Sequence, residues 1–188
     1  AAEAAAQITR IDFQVVESPA FDGQSFGDVG QYERLRGVAY GEVDPNDVRH
    51  REIVNILRTP LNARGRVEYS TTVEIYRPID LERWNRAIYH IVPNRGGASA
   101  GDAVFREMGF AVVQVGWQGD LTATDRNVVP FLPIATYADG ASIVGPTVEE
   151  FIFNDEETVS EATLSYATTA LMPALATFTV REIGRAHV

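Results

Sequence analysis

The sequence predicts an α/β fold in which a strand-rich antiparallel start leads into a parallel βαβ crossover. Two observations predict it. Strand-length apolar runs at residues 87–92 and 110–115 flank a glycine-rich loop and a short helical pattern. Such a strand–helix–strand unit joins two parallel strands through a right-handed connection. Upstream, several segments alternate apolar and polar residues with the period of two that is typical of half-buried antiparallel strands.

The antiparallel part is predicted to contain four strands. Alternation is clearest over residues 66–77, and Pro78 ends that run. Residues 18–31 hold prolines and glycines and are predicted to be a turn-rich connection, while residues 62–65 are predicted to form a hairpin turn. The expected strands cover residues 8–16, 32–43, 52–57 and 66–77.

The crossover begins with the run at residues 87–92, which Pro93 ends because proline removes a ladder donor. Ser99 lies three residues before Asp102, a capping-box spacing that predicts a helix from about Ala100. Gly109 is expected to end this helix in a left-handed conformation. Residues 118–139 are predicted to be a long loop, and further strands are predicted over residues 144–153 and 163–169.

The loop after the first parallel strand is the main candidate site, with Asn94, Arg95, Gly96 and Gly97 as its residues. Ligands bind open α/β sheets at the carboxyl ends of strands. Three interpretations remain open: a phosphate cradle, a donor of backbone N–H to an oxyanion, or a plain tight connection. The phosphate cradle is disfavoured, because Asp102-Ala103 follows Gly101 where a phosphate loop needs lysine and serine or threonine.

A second group of candidates follows the other parallel strand. Trp117, Gln118 and Asp120 stand at the same predicted sheet edge as the glycine loop. Their position favours a role at the rim of a site, and their composition would equally suit a packed turn.

Two further patterns are judged structural. Gly23-Gln24-Ser25-Phe26-Gly27 matches the G-x-S-x-G string of a nucleophile elbow. That string has meaning only between a buried strand and a helix, and neither flank is predicted here. His90 lies inside a strand, where a lone histidine is usually a hydrogen-bonded structural residue.

The composition of the chain argues against several classes of function. A net charge of −10 and a pI near 4.7 argue against binding to nucleic acid, which requires a basic surface. No apolar run approaches the roughly 18 residues of a membrane span. Cysteine is absent, and no pair of histidines has metal-ligand spacing, so neither a metal site nor a cofactor is expected.

Several stretches together resemble a family of bacterial α/β-hydrolase-domain proteins. They are FDGQSFGDVGQYERLRG near the start, VDPND, YHIVPNRGG and GDAVFREMGFAVVQVGWQGD. The resemblance covers residues 8–180 and corresponds to the amino-terminal part of such a protein. It implies a partial α/β-hydrolase-like sheet, with the nucleophile elbow, the acid and the histidine located further downstream.

The domain expectation follows from the resemblance and from both ends of the chain. Residues 1–7 are alanine-rich like the zone around a signal-peptide cleavage site, which favours a periplasmic or secreted location. Residues 8–181 are expected to form a single truncated domain. Residues 182–188 resemble the translation of a sequencing-library adapter and are expected to be a tail outside this domain.

The resulting expectation is the amino-terminal part of an esterase-type serine hydrolase, inactive alone, whose parent acts on a small-molecule ester-like substrate. In the intact parent, the loop of residues 94–97 would donate a backbone N–H to the developing oxyanion. The alternative is a non-catalytic, β-rich binding module, which the many alternating strands favour.

Overall fold

The computed structural model describes residues 6–146 and Val148, and all of its named elements lie in the unit that ends at Ala141. The strands predicted over residues 144–153 and 163–169 fall mostly or wholly outside the described residues, as does the tail of residues 182–188. The elements are β1 (Ala6–Glu17), β2 (Ser25–Phe26), β3 (Gly30–Val43), β4 (Val67–Pro78), β5 (Ile88–Ile91), α1 (Ala103–Glu107), β6 (Ala111–Val115) and β7 (Pro130–Phe131).

These strands form one seven-stranded sheet in the order β1-β3-β4-β6-β5, with β2 paired to β3 and β7 paired to β4. Every pairing is antiparallel except that of β5 with β6. Because β5 and β6 are parallel neighbours, their carboxyl ends lie side by side at the same end of the sheet.

The predicted α/β class is wrong. The described residues form a mixed seven-stranded sheet with a single five-residue α-helix, so this part of the chain is mostly β. The long strands β1, β3 and β4 pair antiparallel and therefore need no crossover helices between them. Helix α1 is short because Asp102 is extended, with ψ 147°, and Gly109 adopts φ +80° directly after the last turn.

The crossover itself was predicted correctly. Ile88 pairs with Ala111 and Ile91 with Gln114 in parallel register, and α1 lies between the two strands. Its start was placed too early, because the Ser99 hydroxyl accepts the Gly101 N–H at 3.1 Å in a turn that precedes the helix.

Three of the four predicted antiparallel strands correspond to β1, β3 and β4. The strand predicted over residues 52–57 is wrong, because that stretch continues a series of turns that includes 3₁₀ helices at Val48–His50 and Ile56–Arg58. Asp47 caps the first one by accepting the Arg49 N–H at 2.9 Å. Asn55 then adopts a left-handed conformation, with φ +58°, which interrupts any extended run.

Residues of β3, β4 and β6 form the core together with the turns that connect β1 to β3. Its buried residues are Ala20, Phe26, Val29, Tyr32, Tyr76 and Val112. The Tyr32 hydroxyl, within hydrogen-bonding distance of the carbonyl oxygens of Arg106 and Phe110, ties β3 to the last turn of α1 and to the residue that precedes β6.

No helix in the described part of the chain is both long enough and apolar enough to cross a membrane.

Candidate functional site

The glycine loop begins directly after β5 as a 3₁₀ turn at Asn94–Gly96. Within it, Arg95 has φ 51° and ψ 33°, a left-handed conformation that is unusual for a residue with a side chain. Gly97 closes the turn by donating its N–H to the Asn94 carbonyl at 3.2 Å. A non-glycine residue held in this conformation marks a place where the surrounding structure fixes the backbone.

The residues after β6 fix the loop from the other side. The Arg95 N–H donates to Gln118 Oε1 at 2.6 Å, and the Arg95 guanidinium contacts Asp120 Oδ2 at 2.6 Å. The Trp117 indole N–H donates to the Pro93 carbonyl at 2.7 Å. The structure therefore brings Gln118 and Asp120 against the predicted loop, and Trp117 against Pro93, the residue that precedes it.

The second half of the loop is packed into the protein. Gly96 is buried with φ +70°, and a Cβ there would lie 2.8 Å from both Leu121 Cδ1 and the Val128 carbonyl oxygen. The Gly96 carbonyl accepts the Val128 N–H at 2.9 Å, and Gly97 forms a β-bridge with Asn127. These contacts alone would make the loop a tight connection, and they also make it rigid.

Two buried polar side chains hold residues 99–101, the segment that follows the loop, and the sequence did not identify either of them. Gln114 is fully buried on β6; its Oε1 accepts the Ser99 N–H at 2.7 Å and its amide group donates to the Ser99 carbonyl. The buried Arg106 guanidinium donates to the carbonyls of Ala100 and Gly101 at 2.5 and 3.1 Å. A glutamine inside an otherwise apolar strand was the available signal for Gln114.

Aromatic rings and backbone carbonyls surround the Arg106 guanidinium and stabilise its positive charge. Its guanidinium lies 4.5 Å from the centre of the Phe21 ring and 4.6 Å from that of Phe26. Burial lowers the pKa of Arg106, and burial raises the pKa of Tyr32 to about 12. Both groups keep their ordinary protonation state at neutral pH, so they act as fixed structural donors.

The other motifs do not assemble into a catalytic group with this loop. Ser25 lies on the two-residue β2, between 3₁₀ turns at Phe21–Gly23 and Gly27–Val29, and pairs with Gln31. A nucleophile elbow needs a buried strand before the serine and a helix after it. His90 is exposed on β5, while its neighbours Tyr89 and Ile91 pack against the core.

In the described residues, no cluster of three or more His, Asp or Glu side chains is arranged to hold a metal ion.

No protein-family model, curated protein or solved structure matches the chain. The function proposed below therefore rests on the geometry of the loop and on the resemblance stated above.

Proposed function

We propose that this chain supplies the oxyanion-stabilising loop of a serine hydrolase that cleaves small or lipophilic acyl esters. The observation that carries the proposal is the backbone N–H of Arg95, which donates to a side-chain oxygen, Gln118 Oε1, at 2.6 Å. The same N–H can meet a substrate oxygen when the Gln118 side chain rotates away. Gln118 is bound through a rotatable side chain, whereas the loop backbone is held by several contacts.

In the proposed reaction, a serine hydroxyl attacks the ester carbonyl while a histidine accepts its proton. Negative charge then develops on the former carbonyl oxygen, and the Arg95 N–H stabilises it by donating a hydrogen bond. Collapse of the tetrahedral intermediate expels the alcohol, and water releases the acid in a second step. The resemblance implies that the serine, the histidine and its acidic partner belong to the rest of the parent protein.

The contacts that hold the backbone of the loop and of the segment after it support this role. An oxyanion donor stabilises the transition state most when it is already oriented, because no reorganisation is then needed during the reaction. Gln114 and Arg106 hold residues 99–101, and Asn127 and Val128 hold Gly96 and Gly97. The Arg95 donor directly precedes Gly96, so the contacts of Gly96 and Gly97 restrict its position before any substrate arrives.

The second candidate function is a non-catalytic binding module. The specific observation in its favour is the mostly β architecture of the described residues, which form a seven-stranded sheet with one five-residue helix. In that case the contacts among Arg95, Gln118 and Asp120 are structural, and no ester turnover is expected from any protein that contains the chain.

The test uses the full-length gene product that carries this sequence, incubated with nitrophenyl esters of short and medium acyl chains and with a fluorophosphonate probe. The proposal expects ester turnover and a labelled serine outside residues 1–188, while the 188-residue chain alone gives neither turnover nor label. A label on Ser25, or no turnover by the full-length protein, would overturn the proposal. The second outcome would favour the binding module.

A further inference from the structure

Strand β1 forms one edge of the sheet. In the part of the chain that the structure describes, β1 pairs with β3 on one side and with no strand on the other. An edge strand presents a row of backbone N–H and C=O groups that a further strand can pair with. Every residue of β1 from position 8 to position 17 is also exposed. The outer edge of β1 is therefore accessible to another strand.

The apolar side chains of β1 lie along one face of the sheet. In the pairing with β3, Thr9 is an extra residue in a bulge, so Ile8 lies on the same face as Ile11 and Phe13. The exposed fractions of Ile8, Ile11 and Phe13 are 49, 48 and 39 %. A strand that pairs with this edge can therefore cover a row of three large apolar side chains.

The charged side chains of β1 are all paired, so the edge adds no net charge. Arg10 Nε contacts Asp12 Oδ2 at 3.0 Å, and Glu17 contacts Arg34 Nε at 3.6 Å. Arg10 and Asp12 lie on the face opposite the apolar row, because side chains alternate along a strand. The net charge of −10 makes two copies of the chain repel each other, and this neutral edge does not increase that repulsion.

The sequence of β1 is complementary to itself in one antiparallel register. With Ile11 on a two-fold axis perpendicular to the sheet, Arg10 of each copy lies opposite Asp12 of the other copy. With Thr9 unpaired, as it is against β3, Ile8 then lies opposite Phe13 of the other copy. An axis at Arg10 or at Asp12 would instead set like charges against each other. Residues 8–13 thus supply both sides of one ladder, which favours a second copy over an unrelated strand.

From this self-complementarity we infer that two copies of the chain form a symmetric dimer, in which their β1 strands pair antiparallel about a two-fold axis at Ile11. The backbone hydrogen bonds join the two sheets into one, and the apolar row leaves water. Two ion pairs between Arg10 and Asp12 set the register. Strands β1 and β5 lie at opposite ends of the strand order, so the dimer does not depend on the function proposed for the loop after β5.

The first experiment uses cysteine crosslinking, since the chain contains no cysteine of its own. Under mild oxidation, Ile11→Cys should give a disulfide-linked dimer, because the two copies of a residue on the axis face each other directly. Val15→Cys is the matched control. Val15 is 51 % exposed on the same face, but its two copies would lie roughly 25 Å apart. Equal linkage at the two positions, or linkage at neither, would overturn the inference.

The second experiment reverses the charges and measures association by sedimentation velocity. Arg10→Glu and Asp12→Arg should each weaken self-association about tenfold or more, because each sets like charges opposite one another. An equimolar mixture of the two variants should associate again, since Glu faces Arg at one end of the ladder and Asp faces Arg at the other. Arg51→Glu, in the exposed ion pair between Arg51 and Glu52, is the control and should leave association unchanged.

Two results of these sedimentation measurements would contradict the dimer. One is a parent chain that stays monomeric at every soluble concentration. The other is a mixture of Arg10→Glu and Asp12→Arg that associates no more than its two components do alone. Circular dichroism of both variants checks that they are folded, which is expected because Arg10 and Asp12 are exposed.

Discussion

The backbone N–H of Arg95 donates a hydrogen bond of 2.6 Å to Oε1 of Gln118, which joins the loop after β5 to the loop after β6. The two residues lie 23 positions apart and meet because their strands are parallel neighbours. This contact fixes the direction of the one loop amide that the proposed function uses. It also allows structural and catalytic roles of the loop to be tested separately.

Gly96→Ala is expected to destabilise the protein by at least about 2 kcal/mol, since a methyl group would meet Leu121 and the Val128 carbonyl and φ +70° disfavours a side chain. Gly97→Ala is the matched control. Its φ is −61° and the nearest atom to a Cβ there is the Asn94 carbonyl oxygen at 3.6 Å, so little change is expected. Urea unfolding of the two variants checks this, and equal midpoints would contradict the packing described for the loop.

Gln114→Leu should lower the free energy of unfolding by about 1–3 kcal/mol, because the N–H and the carbonyl of Ser99 would both lose their bond to the buried Gln114 amide. Gln31→Leu serves as the comparison. Gln31 also donates to a backbone carbonyl, that of Gly23 at 2.8 Å, but at an exposed position where water replaces the bond. Denaturant titrations that gave the same loss for both glutamines would show that Gln114 does not stabilise the segment that follows the loop.

Stability should also depend on pH in the alkaline range. Burial raises the pKa of Tyr32 to about 12 and raises the pKa of Tyr76 in the same direction. The unfolded chain therefore loses these protons at lower pH than the folded chain does. Their contribution is complete below the unfolded pKa of about 10 and is lost as the pH rises from there through about 12.

Thermal unfolding followed by circular dichroism between neutral pH and pH 12 would measure this loss. Tyr32→Phe should flatten part of the alkaline decline, although it also removes the hydroxyl contacts with the Arg106 and Phe110 carbonyls and lowers stability at neutral pH. An identical alkaline slope in Tyr32→Phe and the parent chain would show that Tyr32 is not the titrating group.

How far the sequence predicted the fold depends on the range of the interactions involved. Strands β3 and β4 were predictable from strand-length runs rich in apolar and β-branched residues and bounded by turn signals, although burial does not alternate along either strand in the structure. The apolar residues of 52–57 looked equally extended. Their conformation is instead fixed by the Asp47 cap and by the left-handed Asn55, neither of which alters the apolar pattern.

The sequence predicted which residues of the candidate site lie at the same end of the sheet, but it did not predict which groups contact one another. Parallel strands bring their following loops to one edge, which is why Arg95, Gln118 and Asp120 were grouped correctly. The supporting roles of Gln114 and Arg106 depend on partners that only the folded chain brings close, such as Ser99 for Gln114. The predicted α/β class was wrong because one short βαβ crossover was assumed to be typical of the whole sheet.

The oxyanion role of the Arg95 N–H is tested most directly by Gln118→Glu in the full-length protein. The carboxylate keeps the shape of glutamine and still accepts the Arg95 N–H, so thermal stability should be retained. It also holds the donor more tightly and repels the developing oxyanion, so kcat should fall about tenfold or more with little change in KM. Gln14→Glu, the same charge change at an exposed position on β1, should leave both constants unaltered.

Steady-state kinetics of these two variants on a nitrophenyl ester, beside the parent enzyme, is therefore the decisive measurement. The proposed oxyanion role predicts a loss of kcat confined to Gln118→Glu, in a protein whose melting temperature is unchanged. An unchanged kcat in that variant would contradict the proposed role and leave the contact between Arg95 and Gln118 as a structural one.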